Sequence, residues 1–315
     1  MKKSRFLLIL LTIVSISAFS QVQLTQYMLD GSVYNPAFVG SEKAICGNLF
    51  GRQQWMGFED SAGNNVSPRS FIFNLQSPIY SINSGVGINV ISDRLGYEQN
   101  FGVKINYAYR FTLGDNHHFG AGLALSFLNK SIDFSQLVVE DPEDPLLKFN
   151  DKESATFFDL DLGIHYRFAD KAYAGISATN LLQSSREIGN VRYHQKTNIY
   201  LTGGYYFQLT EMDYKKLYLI PSLLLKTNFA STLLDVNLMV NYNKQYWAGV
   251  SYRLQDAVAV MAGANWKGFK LGASYDITTS KLANVSSGSL EVFVGYCYPI
   301  KPKIKPKSLY NTRYL

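Results

Sequence analysis

The sequence predicts an all-β fold, a transmembrane β-barrel of about 14 antiparallel strands with an N-terminal plug-like segment. Three observations carry the prediction. Segments of alternating apolar and polar residues recur along almost the whole chain. The connections between them are by turns short and long. Aromatic residues gather at one end of the segments.

The stretch "TFFDLDLGIHYRF", 156–168, sets the pattern. Phe158, Leu160, Leu162, Ile164, Tyr166 and Phe168 alternate with Asp159, Asp161, Gly163, His165 and Arg167. A spacing of two places the apolar row on one face of a strand and the charges on the other. A membrane barrel turns the first face to lipid and the second to a wet interior. The segments 101–111, 234–242 and 269–277 repeat the pattern.

In chain order, residues 1–20 read as a secretory signal. Lys2, Lys3 and Arg5 precede the apolar run Phe6–Val14, and Ala18 and Ser20 form a small-residue cleavage site. Residues 21–44 alternate poorly. Tyr34, Asn35, Pro36 and Ala37 read as a turn, and Gly40 permits another. Tyr27, Met28, Tyr34 and Phe38 are too apolar for free solvent, which favours a plug inside the barrel over a loose leader. Strands are expected at 45–56, 69–77, 84–92, 98–111, 117–130, 155–168, 171–180, 195–208, 215–227, 231–242, 245–255, 256–266, 269–277 and 289–299, a barrel domain of 45–299. The remainder, 300–315, is a Pro-rich basic tail.

Connection lengths separate the barrel from a soluble sandwich. Those after even-numbered strands are mostly tight, as at 114–118, 169–171, 243–244 and 267–268. All the long ones, 57–68, 131–154, 181–194 and 278–288, follow odd-numbered strands. Outer-membrane barrels have this asymmetry. Phe111, Phe168, Phe207, Tyr242, Trp266 and Tyr298 close the even strands at the short-turn end, an interfacial belt. An even strand count puts both chain ends on the periplasmic side of the outer membrane.

Composition narrows the function. The chain has 22 Tyr, 20 Phe and 3 Trp, and only 17% charged residues, few for a soluble surface. Without Lys2, Lys3 and Arg5 the 30 basic side chains fall to 27, against 24 acidic, so the formal charge of +6 gives no case for nucleic acid. No nucleophile motif frames the four His, and an enzyme is not expected. The loop "EDPEDP", 140–145, lacks the ligand spacing and Gly of a Ca²⁺ site, so no metal or other cofactor is expected.

The candidate site residues follow from strand phase. Arg52, Arg110, Asp159, Asp161, His165 and Arg167 face the lumen, where Arg52, Arg110, Asp159, Asp161 and Arg167 are placed to hold the plug. Trp55, Met56 and Phe58 stand near the membrane edge, with cargo contact and lipid anchoring both open. Closure brings the first and last strands together. These carry Cys46 and Cys297, and a disulfide or two unrelated small side chains both fit.

Seven stretches resemble the PorP/SprF family of type IX secretion outer-membrane proteins: "QYM" at 26–28, "YNPAFVGS" at 34–41, "GRQQWMGF" at 51–58, "GVGINVISDRLG" at 85–96, "INYAYRF" at 105–111, "VVEDPEDP" at 138–145 and "YAGISATNLL" at 173–182. The resemblance implies a 14-stranded barrel that delivers or retains a secreted cargo protein, such as a gliding adhesin, at the cell surface. The cargo would be recognised through its type IX C-terminal domain. A periplasmic peptidoglycan-binding lipoprotein is the implied second partner, and no catalytic residue carries over. The alternative is a 14-stranded transporter of hydrophobic, fatty-acid-type molecules, or a porin. A hydrophobic path needs apolar lumenal residues, whereas the lumenal phase here reads as Asp, Asn, Arg, Lys, Gly and Ser.

Overall fold

The computed structural model describes residues 23–60, 62–136, 152–210 and 216–300. The signal at 1–20, the "EDPEDP" loop and all of the basic tail but its first residue, Ile300, lie outside the described residues.

Fourteen wall strands follow in chain order. They are β1 (Ala44–Gln53), β2 (Arg69–Ile79), β3 (Ser84–Leu95), β4 (Glu98–Leu113), β5 (His117–Asp133), β6 (Lys152–Phe168) and β7 (Ala172–Thr179). The second half comprises β8 (Asn198–Tyr205), β9 (Leu217–Thr227), β10 (Thr232–Tyr242), β11 (Tyr246–Arg253), β12 (Ala257–Trp266), β13 (Phe269–Thr278) and β14 (Ser289–Pro299). Each pairs antiparallel with its sequence neighbours, and β1 pairs with β14 to close the ring. Closure gives every wall strand a partner on each side, as a wall in lipid requires.

Burial alternates residue by residue. On β2, Phe71, Phe73 and Leu75 are exposed while Ser70, Ile72, Asn74 and Gln76 are buried. β6 buries Phe157, Asp159, Asp161 and His165 and exposes Phe158, Leu162 and Ile164. At the short-turn rim, rings touch across strands: Phe111 with Phe119 at 5.1 Å, Phe119 with Tyr166 at 4.9 Å, and Phe269 with Tyr296 at 4.7 Å.

The predicted strands and the observed ones differ in several places. The first strand stops at Gln53, because Trp55 takes a left-handed φ of 47° that a ladder cannot hold. β6 begins at Lys152, earlier than alternation suggested. The expected strand 195–208 starts at Asn198 and breaks at Tyr206, whose amide donates to the Lys171 carbonyl at 2.7 Å. The 181–194 connection contains a two-stranded ribbon, Ser185–Ile188 against Val191–His194.

The segment 23–43 packs on the inward faces of the ring. It forms three short 3-10 turns, Tyr27–Leu29, Gly31–Val33 and Pro36–Phe38. Leu24, Tyr27, Val33 and Tyr34 cluster with Phe50, Ile72, Tyr200, Leu224 and Phe293 of the wall. The inward phase is therefore less uniformly polar than the sequence reading held. Its apolar members sit where apolar residues of the segment need a dry counterpart.

Candidate functional site

The Asn35-Pro36-Ala37 turn is bound by both side-chain chemistry and missing side chains. The Asn35 amide donates to the carbonyls of Ile164 at 2.9 Å and Ile176 at 3.4 Å, while its oxygen accepts from the Ala37 amide at 2.9 Å. Ser177 donates to the Tyr34 carbonyl at 2.7 Å. Gly122 and Gly163 lie directly opposite each other on β5 and β6. A Cβ on Gly122 would stand 2.2 Å from the Ala37 nitrogen, and one on Gly163 would stand 2.1 Å from the Asn35 side-chain oxygen. Gly40 takes φ +75° and lies over Gly85, with its amide donating to Gln76 at 3.0 Å.

A buried charge cluster holds the other end of the segment. Arg52 reaches Asp276 at 2.7 Å and Glu291 at 3.0 Å. Arg253 reaches Asp276 at 3.2 Å and Asp235 at 3.3 Å. The segment enters this cluster directly. The amides of Thr25 and Gln26 donate to Glu291 at 2.8 and 2.9 Å, and the Thr25 hydroxyl donates to Asp276 at 2.8 Å. Each anion thus has cationic and neutral donors, the condition under which buried ions are tolerated.

Between these seats, Asp30 accepts from Asn48 at 2.6 Å and Asn74 at 3.1 Å. Asn89 extends the row by donating to Asn74 at 2.6 Å, and Asn106 donates in turn to Asn89. Arg110 donates to the carbonyls of Ala37 and Val39, both at 3.3 Å, and Arg167 to that of Ser41 at 3.5 Å. His165 meets the Phe38 ring edge-on at 5.3 Å.

Asp159 and Asp161 act elsewhere, at the base of the long 180–197 connection. Asp159 accepts from the Leu182 amide at 2.8 Å, and Asp161 from the Asn180 amide at 2.9 Å. Lys104 closes on Asp161 at 2.7 Å. Of the six lumenal polar residues, Arg52, Arg110, His165 and Arg167 thus meet the N-terminal segment, whereas the two aspartates fix a loop. Directly above Tyr34 lies a cavity of about 380 Å³, lined in part by Ile91, Lys104, Leu128, Lys130, Phe157 and Tyr193.

Trp55, Met56 and Phe58 are half-buried in the 54–68 connection. Trp55 packs edge-on to Phe58, ring centroids 6.3 Å apart. Met56 exchanges backbone hydrogen bonds with Gly288 and Ser287, each 2.8 Å, which joins the first and last long connections. In the same loop, a hydrogen bond from Tyr97 to Asp60 lowers the Asp60 carboxyl to about 2, and amide donation by Asn64 adds to this. At the opposite rim Cys46 and Cys297 form a disulfide across the β1–β14 seam, with Cα atoms 4.1 Å apart.

Sequence reasoning missed Arg253, Asp235, Asp276 and Glu291 as seat residues, and Gly122 and Gly163 as docking positions. All lie in the inward phase, and Gly122 and Gly163 fall on consecutive strands, which was the available signal. Among the described residues no group of three or more His, Cys, Asp or Glu converges as a metal site would require.

The family model for the type IX secretion system membrane protein PorP/SprF matches residues 16–296. No curated protein matches the chain. Among solved structures, the chain is similar to the CymD monoaromatic hydrocarbon channel, at 11% identity over 86% of this chain and 93% of that one, with a TM-score of 0.52. It is also similar to the Ralstonia pickettii toluene transporter TbuX, at 10% identity over 86% and 93%, with a TM-score of 0.50. At these identities the likeness is one of fold.

Proposed function

The chain belongs to the PorP/SprF family of type IX secretion system membrane proteins, and from that membership and its outer-membrane barrel we propose that it docks a secreted cargo protein at the cell surface. The cargo's C-terminal domain, of a gliding adhesin for example, seats on the rim that carries the long connections. The segment 23–43 plugs the bore beneath it. Both termini are periplasmic, where the basic tail meets a peptidoglycan-binding lipoprotein and fixes the barrel to the cell wall. The mechanism is binding, with no bond made or broken.

One observation carries this reading. The N-terminal segment is bound to inward groups of β1, β2, β4, β6, β7, β13 and β14, so the barrel presents a surface more than a passage. A hydrophobic-molecule channel is the competing reading. Buried Arg52, Arg253, Asp235, Asp276 and Glu291 across the bore oppose it, because an apolar solute offers them nothing in exchange for their partners.

Two measurements test the proposal. In planar bilayers the full chain is expected to stay near baseline, while a variant lacking Leu24–Ser41 conducts. In cells, deletion of the gene is expected to remove at least one protein with a type IX C-terminal domain from the surface. Open-channel conductance from the intact barrel, with surface proteins unchanged on deletion, would overturn the reading.

A further inference from the structure

The outward face of the wall changes character abruptly near the long-loop rim. Cross-strand register puts Leu49, Phe73, Val90, Val103, Phe127 and Phe158 in one row across β1–β6, all apolar. Two outward positions further up each strand, the row reads Gln53, Arg69, Arg94, Gln99, Ser131 and Ser154, all polar. In a membrane barrel the first row meets acyl chains, and the second stands where headgroups begin. The long 54–68 connection runs into β2 at Arg69, so this is the outer side of an outer-membrane barrel.

Arg69 and Arg94 lie directly opposite each other on β2 and β3, and both are exposed. Like charges in this arrangement repel. The inward phase supplies carboxylates for its cations: Asp276 and Glu291 for Arg52, Asp161 for Lys104, and Glu98 for Lys130. Neither Arg69 nor Arg94 forms an ion pair among the described residues. The carboxylates of this rim are engaged within the chain. Asp60 accepts from Tyr97, Asp93 from Ser70 and Asp133 from Ser135, each at 2.5 Å. The Arg94 Nε donates to the Gly96 carbonyl at 3.2 Å, which holds the stem of the side chain at the rim.

Beside Arg94, a groove of about 500 Å³ lies between Ser92, Gln99, Phe101, Asn129 and Lys152. Asp93 borders it from the inward phase. Lys152 donates to Gln99 at 2.9 Å, so a third cation stands at the same groove. Phe101 marks its lipid end, and exposed Phe71 and Phe73 lie on the wall nearby.

We propose that Arg69 and Arg94 together hold the phosphate of a phosphorylated glycolipid in the outer leaflet, with its sugar in the groove and its acyl chains down the wall over Phe71, Phe73 and Phe101. Guanidinium groups present paired N–H donors that match phosphate oxygens, and an anion shared between the two arginines removes their repulsion. Sugar hydroxyls find donors and acceptors in Ser92, Gln99 and Asn129. The apolar wall decides between a lipid and a free anion. Inorganic phosphate would meet the cations and leave the aromatic rings below them unused, whereas a lipid covers both surfaces continuously. The site belongs to the wall and is independent of cargo docking in the bore or on the loops.

The probe is purified lipid A, a phosphorylated glucosamine glycolipid, added to the delipidated full-length barrel in detergent, with binding read by native mass spectrometry. Arg69→Gln combined with Arg94→Gln is expected to weaken binding about tenfold or more, while Arg186→Gln, a basic residue of the 185–194 ribbon, stays within about twofold. Dephosphorylated lipid A should bind the parent no better than lipid A binds the double variant. Inorganic phosphate should not displace lipid A. Heat-modifiable migration checks folding. Should the double variant fail that check, Arg69→Gln alone decides, because the Arg69 side chain makes no ion pair among the described residues and its loss leaves the Arg94 bond to Gly96 in place. Unchanged lipid A binding by a folded variant, or equal binding of the dephosphorylated form, overturns the phosphate contact. Displacement by inorganic phosphate overturns the lipid as its source.

Discussion

At the scale of single residues, the interior is governed by a few charges that cannot be removed one at a time. Arg52 serves Asp276 and Glu291 together, and both anions also hold Thr25. Arg52→Met leaves two buried carboxylates short of a cation. The loss is expected to be about 3–5 kcal/mol, felt first where the segment joins the cluster. Hydrogen exchange at Thr25 and Gln26 checks it, and protection there should fall while protection in β4 and β5 stays. Part of this was legible. Arg52 was readable as lumenal from its phase relative to Cys46. Its partners were not, because alternation states which face a residue occupies and not which residue lies opposite. Arg52 faces Glu291 only through closure of the ring, and Asp235 faces Arg253 only through the register of β10 and β11. Gly122 and Gly163 were obscured differently. A glycine in a strand reads as a weak position, and its use appears only when Ala37 and Asn35 are seen pressed against it.

At the scale of elements, the strands were legible and the connections were not. Fourteen alternating segments are fixed by lipid on one side and a polar bore on the other, and that contrast is written into every second residue. The 54–68 connection has no such contrast. Its shape comes from local bonds: Asp60 accepts from Tyr97, Asn64 and Ala62. The lowered Asp60 carboxyl gives it a pH dependence of known sign. An acid depressed below its unfolded value near about 3.9 contributes fully above that value and loses its contribution as pH falls through about 2. The loop should therefore hold its form at any pH above about 4. Tyr97→Phe removes the largest cause of the depression, so the Asp60 titration should move upward toward the ordinary carboxylate range. Side-chain carboxyl shifts in an NMR titration of the two proteins decide it, and coincident curves would show that the Tyr97 bond does not hold this loop. The ribbon Ser185–His194 was unreadable for a related reason. Its base is anchored by Asp159 and Asp161, and each of its strands is only four residues long, too short for alternation to mark it.

At the scale of the whole molecule, a closed cylinder depends on its last-made contact, the seam between β1 and β14. Ten residue pairs join these strands, from Ala44 opposite Pro299 to Gln53 opposite Leu290. They are the two ends of the barrel sequence, so the full entropy of a long loop is spent in bringing them together. The Cys46–Cys297 disulfide links positions 251 residues apart. A crosslink over a loop of that length restricts the unfolded chain by about 5 kcal/mol in the chain-entropy treatment. Cys46→Ser with Cys297→Ser should therefore unfold at a distinctly lower temperature than the parent, with the native barrel otherwise unchanged. The direct measurement is heat-modifiable migration without reductant, and adding reductant to the parent should reproduce the variant's curve. The seam also links stability to the proposed role. Arg52 and Glu291 stand on the same two strands as the cysteines and seat Thr25 between them, so the strands that close the wall also hold the N-terminal segment. Loss of the disulfide should then raise hydrogen exchange at Thr25 and Gln26 before it raises exchange in β5 and β6, which lie far around the ring. Simultaneous loss of protection everywhere would mean that the seam and the seat are not coupled, and that the barrel opens as one unit.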